Sequence, residues 1–169
     1  VHYGSGWSWD DYNYGYQTDK HGLPMYGNMV HFKKESAESD LEVDPVYFKT
    51  LTLPNPNTQN SSIMRDEGAN LFRFDNAKIN KSNRIDRYIP YLTSSDLQAE
   101  LLSEYLGREV TTTSSPTNMG MARKIKTVEV DSLYRLLLQP SDNFVAEQLL
   151  LNCGSELFDT MNTRKVIDW

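Results

Sequence analysis

The 169 residues are 38% hydrophobic and 24% charged and carry a net charge of −6. That length holds one mid-sized domain or two small ones with a real core, and no apolar run approaches the roughly 20 residues of a membrane span. Lysines and arginines are scattered rather than striped, which argues against nucleic acid as a partner and leaves a soluble, globular reading.

The first third is rich in turns and rings. Tyr3, Trp7, Trp9, Tyr12, Tyr14 and Tyr16 are interleaved with Gly4, Gly6 and Gly15 and with Asp10 and Asp11. Rings at this density can form a stacking platform for sugars or peptides, because each offers a flat apolar face and a polar edge. Burial is the favoured expectation, since aromatics contribute most to cores and glycines let the chain fold tightly around them.

Short strands are expected next, over 28–33, 46–53, 69–74 and 84–92, where β-branched and aromatic residues alternate between Pro, Asn, Asp and Gly. Pro54-Asn55-Pro56-Asn57 reads as a loop. Glu35, Glu38, Asp40, Glu42 and Asp44 read as a solvated acidic loop. They lack the glycine and ligand spacing of a calcium site, and His2, His21 and His31 have no zinc-like arrangement.

A helix follows. Ser95 and Gln98 fit a capping box, Leu97, Leu101, Leu102, Tyr105 and Leu106 recur at helical spacing, and Gly107 suits a left-handed C-terminal residue. Such a helix covers one face of the strands, giving an α+β unit to about Val110, followed by a Thr- and Ser-rich loop or linker over 111–120. Beyond it, 124–130 reads as a strand and Asp131 as the cap of a short helix bearing Leu133, Leu136 and Leu137. Pro140 disfavours helical geometry at Gln139, and a second helix carries Phe144, Val145, Leu149, Leu150 and Leu151. The single cysteine, Cys153, reads as a small buried residue in the apolar 149–157 stretch. The chain opens on Val1 rather than methionine, without a signal peptide, and Trp169 closes a stretch that still reads as helical. It is therefore expected to be a piece of a longer protein.

Between the two apolar helices stands Ser141-Asp142-Asn143. S-D-N is one of three motifs that build a penicillin-recognising serine active site; S-x-x-K supplies the nucleophile and K-T-G holds the substrate. No serine here has a lysine three residues later, and Lys49-Thr50-Leu51 and Lys126-Thr127-Val128 lack the glycine of K-T-G. The bland alternative is that Ser141 merely caps a helix.

The run Leu136-Leu137-Leu138-Gln139-Pro140-Ser141-Asp142-Asn143-Phe144-Val145-Ala146-Glu147 resembles the helix, S-D-N turn and A-E helix of the low-molecular-mass class C penicillin-binding proteins, D-alanyl-D-alanine carboxypeptidases and endopeptidases of peptidoglycan metabolism. Gly6-Trp7-Ser8-Trp9-Asp10-Asp11 is similar to the G-W-x-W-D-D segment of that family's accessory domain, in the same order and at a matching separation. The resemblance implies a β-rich inserted accessory region over 1–120 and, over 121–169, part of a penicillin-binding, serine β-lactamase-like catalytic domain. It accounts for the missing motifs, because the family's accessory region lies between S-x-x-K and S-D-N.

The resemblance implies further that the intact parent attacks D-Ala-D-Ala at the end of peptidoglycan stem peptides through an acyl-enzyme, that β-lactams inhibit it, and that it works in the periplasm or cell envelope without metal or organic cofactor. Ser141 would bond the S-x-x-K lysine and relay a proton to the departing amine. Asn143 would bind the substrate's backbone carbonyl and orient that lysine, with Asp142 capping the helix. The isolated chain is expected to be inactive, and whether the parent is a carboxypeptidase or an endopeptidase stays open. A rival expectation is a non-catalytic peptidoglycan- or protein-binding module using the Tyr3 to Tyr16 rings; a third is an inactive relative that never had the other motifs.

Overall fold

The computed structural model describes residues 11–56, 62–79, 84–114 and 128–169. Contacts divide the chain into two compact units, Val1–Glu109 and Val110–Trp169.

In the first unit the strands β1 (Met29–Lys34), β2 (Glu42–Asp44), β3 (Thr52–Pro54), β4 (Ile63–Arg65), β5 (Phe72–Phe74) and β6 (Ile85–Pro90) form two three-stranded sheets. One is antiparallel in the order β2-β1-β6; in the other β5 pairs with β3 in parallel and with β4 antiparallel. The expected α+β class holds. β1 alternates strictly, burying Val30, Phe32 and Lys34, and its register sets Val30 opposite Ile89 and Phe32 opposite Val43.

Two expected elements change character. The end of the acidic run is strand, not loop: Val43 points inward between exposed Glu42 and Asp44, so these two charges occupy one pleat face. The chain returns for this pairing through a tight turn, in which Ser39 Oγ accepts from the Glu35 and Ser36 amides at 3.2 and 3.1 Å. The Lys34 ammonium donates to the carbonyls of Ala37 and Ser39. The expected strand over 46–53 is instead a 3-10 turn, Val46–Lys49, followed by β3. The turn inserts Phe48 fully into the core, where it meets Phe72 at 5.7 Å and Tyr91 at 5.0 Å between centroids. Its aromatic content served core packing rather than a pleated edge. Pro54, expected in a loop, ends β3, and β4 had no counterpart in the expected elements.

Helix α1 (Ser95–Leu106) covers this core with Leu97, Ala99 and Leu101. Ser94, not Ser95, is its cap and accepts from the Leu97 amide at 3.1 Å; Gly107 closes it at φ 62°, as its position predicts. Beneath the helix lies a polar knot. Asn28 is fully buried, donates to the Asp19 carbonyl at 2.9 Å and accepts from the Met25 amide at 3.2 Å, and the Tyr91 hydroxyl oxygen lies 3.2 Å from its Oδ1. Burial pushes the Tyr91 hydroxyl pKa far up, so it stays a neutral donor, to the Met25 carbonyl at 2.7 Å.

Arg65 is the other buried polar centre, only 2% exposed. Its guanidinium donates to the carbonyls of Pro90 at 2.9 Å, Ala69 at 3.2 Å, Asp66 at 3.3 Å and Tyr12 at 3.4 Å, and lies 5.2 Å from the centre of the Tyr12 ring. Its amide donates to Asn13 Oδ1 at 2.6 Å. The outer face of the antiparallel sheet carries His31, stacked on Tyr88 at 4.2 Å and 4° and bonded to Asp86 at 2.9 Å. That bond holds the Asp86 carboxyl below its ordinary value of 3.8.

In the second unit, α2 (Val130–Leu138), α3 (Asn143–Phe158) and α4 (Thr163–Ile167) follow one another. Of the strand expected over 124–130, residues 124–127 lie outside the described residues, Val128 and Glu129 are not in a strand, and Val130 opens α2. Asp131 is not the cap; Glu129 holds that position without a side-chain bond. α3 ends on Asp159 at φ 49°, and a Cβ on buried Gly154 would stand 2.8 Å from the Thr160 carbonyl oxygen, so the exit turn closes over a glycine. Cys153 is exposed rather than buried, and no described helix is long and apolar enough to cross a membrane.

Arg65→Lys is expected to cost about 2 kcal/mol or more in urea unfolding, because an ammonium cannot span the carbonyls that the planar guanidinium reaches together. Wild-type stability in the lysine variant would reduce Arg65 to a plain charge.

Candidate functional site

The S-D-N turn is built by the end of one helix and the start of the next. α2 stops at Leu138, and Gln139, expected to leave helical geometry before Pro140, keeps right-handed torsions (φ −75°, ψ −56°) as the C-cap. The reversal falls instead on Ser141, which takes the left-handed conformation at φ 58°. For a residue with a Cβ this costs about 1–2 kcal/mol. It turns the chain so that Asp142, in extended geometry, meets the start of α3.

Asp142 then caps α3: its Oδ1 accepts from the Val145 amide at 3.1 Å and its carbonyl from the Ala146 amide at 3.2 Å. Capping by Asp142 is the arrangement the resemblance implies, and the simpler reading of Ser141 as the cap is wrong. Asn143 occupies the first helical position. Ser141 and Asn143 are both exposed, Asp142 is half-buried, and among the described residues neither the Ser141 hydroxyl nor the Asn143 amide is engaged in a hydrogen bond. The turn thus commits its middle side chain to the backbone and presents the outer two to solvent. A hydroxyl can donate and accept, and an amide has both a donor and an acceptor end. The pair can polarise or relay, but it contains no activated nucleophile.

The near-matches to K-T-G add nothing here. Lys49 lies in the first unit at the end of a 3-10 turn, and Lys126 is outside the described residues.

The aromatic cluster is described from Asp11 onward; Tyr3, Trp7, Trp9 and all of the Gly6 to Asp10 stretch lie outside the described residues. Tyr12 is half-buried over Arg65. Against the expectation of burial, Tyr14 and Tyr16 are 51% and 44% exposed, and they stack with centroids 5.9 Å apart and planes at 17°. The Tyr16 hydroxyl donates to the Asp11 carboxylate, which pushes its pKa up to about 12 and fixes the ring. Sequence alone carried no signal for which rings turn outward.

Ser141→Gly is expected to stabilise the second unit by up to about 1 kcal/mol by relieving the left-handed serine. Asp142→Ala is expected to destabilise it by about 1 kcal/mol through loss of the cap. Thermal unfolding checks both, and opposite signs are the signature of this turn. Compared with family models, with curated proteins and with solved structures, the chain has no match.

Proposed function

We propose that the chain is an internal part of a serine-type D-alanyl-D-alanine carboxypeptidase or endopeptidase of the low-molecular-mass class C penicillin-binding family, acting on peptidoglycan stem peptides. One observation carries this reading: the turn spends Asp142 on capping α3 while Ser141 and Asn143 stand exposed and unengaged beside it. A turn selected only for capping needs one such polar side chain, not three, and gains nothing from a left-handed serine.

In the intact parent a serine supplied by S-x-x-K attacks the D-Ala-D-Ala carbonyl, forms an ester and expels D-alanine; water then cleaves the ester and restores the serine. Ser141 accepts a hydrogen bond from the S-x-x-K lysine and passes a proton to the departing amine. Asn143 donates from its amide to the substrate's backbone carbonyl and helps to hold the lysine. Residues 1–120 form the accessory region and 121–169 belong to the catalytic domain, in the periplasm or cell envelope.

The gene should therefore encode S-x-x-K before this segment and K-T-G after it. The isolated chain should take up no covalent label from a fluorescent penicillin. Flanks without either motif would leave a degenerate relative, and stoichiometric labelling of the isolated chain would place an activated serine where none is assigned.

A second reading rests on Tyr14 and Tyr16, whose exposed, mutually stacked rings meet the minimum requirement of a platform for sugar or peptide. Titration with muropeptides should then quench tyrosine fluorescence saturably, and Tyr14→Ala with Tyr16→Ala should abolish the response; no response in the wild type leaves the rings structural.

A further inference from the structure

The first unit has a surface cavity of about 280 Å³ lined by Asp40, Leu41, Val43, Lys49, Thr52 and Phe74. It lies where the approach to β2, the 3-10 turn, β3 and β5 converge, so residues from both sheets share it. Its apolar part is firm. Val43 is a core residue, and Leu41 and Phe74 pack against the core.

The polar part is unusual for its lack of internal pairing. Elsewhere in this unit Lys33 and Arg84 both reach Glu35, Arg73 pairs with Asp66 and Lys78 with Asp75. Asp40 and Lys49, of opposite charge on one cavity, form no ion pair with each other or with any other described residue. Thr52 donates its hydroxyl proton to the Phe48 carbonyl at 2.8 Å, and its oxygen can still accept from a further donor.

We propose that this cavity binds a small zwitterion with an apolar body, a free amino acid or short peptide. The ligand's ammonium meets Asp40, its carboxylate meets Lys49, and its side chain lies on Leu41, Val43 and Phe74. Both charges are needed for the selection. A simple anion is repelled by Asp40 and a simple cation by Lys49, so a molecule carrying both is preferred over either. Size points the same way, because drug-sized ligands occupy roughly 300–1,000 Å³ and this space suits an amino acid or dipeptide, not a polymer. The site is independent of the Ser141 turn and of the outward tyrosines.

Titration of the isotope-labelled chain with alanyl-leucine, followed by backbone amide NMR, tests it. Saturable shifts are expected at Leu41, Val43, Lys49, Thr52 and Phe74. Lys49→Met and Asp40→Asn should each weaken binding by about fivefold, and both positions are exposed, so the variants should fold as the wild type. The N-acetyl dipeptide should lose affinity for the wild type but no more for Asp40→Asn, and the dipeptide amide should behave in the same way toward Lys49→Met. Absence of saturable shifts, shifts confined to other residues, or equal affinity for the doubly blocked dipeptide would overturn the proposal.

Discussion

The first unit depends on one buried guanidinium. A charge in a core is costly, and it is tolerated only where the interactions around it replace its water. Arg65 meets that condition by gathering main-chain carbonyls from the end of β6, from the turn after β4 and from the entering segment at Tyr12. Because it belongs to β4 in one sheet and binds Pro90 of β6 in the other, it fixes the two sheets against each other. A hydrophobic residue of similar volume could fill the space but would take a donor away from each of those carbonyls.

This pin also governs what the aromatic segment can do. Tyr12 is spent on the inside, over the guanidinium, and Asn13 exchanges hydrogen bonds with the Arg65 backbone. With Tyr12 and Asn13 anchored, the chain turns at Asp11–Tyr14 and carries Tyr14 and Tyr16 outward. Tyr16 is then steadied by Asp11. An anchored base with two outward rings is a stiffer arrangement than a loop of free aromatics, so ordering these rings further would cost less rotamer entropy.

Where local chemistry decided the structure, the sequence was readable. α1 was visible from Leu spacing and Gly107, and the helix-turn-helix around S-D-N from Pro140 and the apolar runs on either side. Errors arose where distant partners decide. Ile63-Met64-Arg65 is too short to announce a strand, and it becomes one through Phe72 and Phe74 across the sheet. Glu42-Val43-Asp44 looked like a charge run because its period-2 pattern is only three residues long. Tyr47-Phe48 has the composition of a strand but packs as a turn, and Cys153, in an apolar run, faces out because α3 buries Leu151 and Gly154 instead. The candidate site was visible only as a motif, and its torsions were not: nothing in three polar residues says that Ser141, rather than Gln139, takes the reversal.

At the Ser141 turn labour is divided between adjacent side chains: Asp142 caps α3, and Ser141 and Asn143 stand exposed beside it. The most direct measurement is the rate of acylation by a fluorescent penicillin in the protein expressed with its flanking coding sequence, comparing wild type with Ser141→Ala and Asn143→Ala. A fall of about 10²–10⁴-fold in Ser141→Ala, with a parallel loss in Asn143→Ala and intact folding, is the predicted result. Acylation and turnover unchanged in both variants would contradict the assignment.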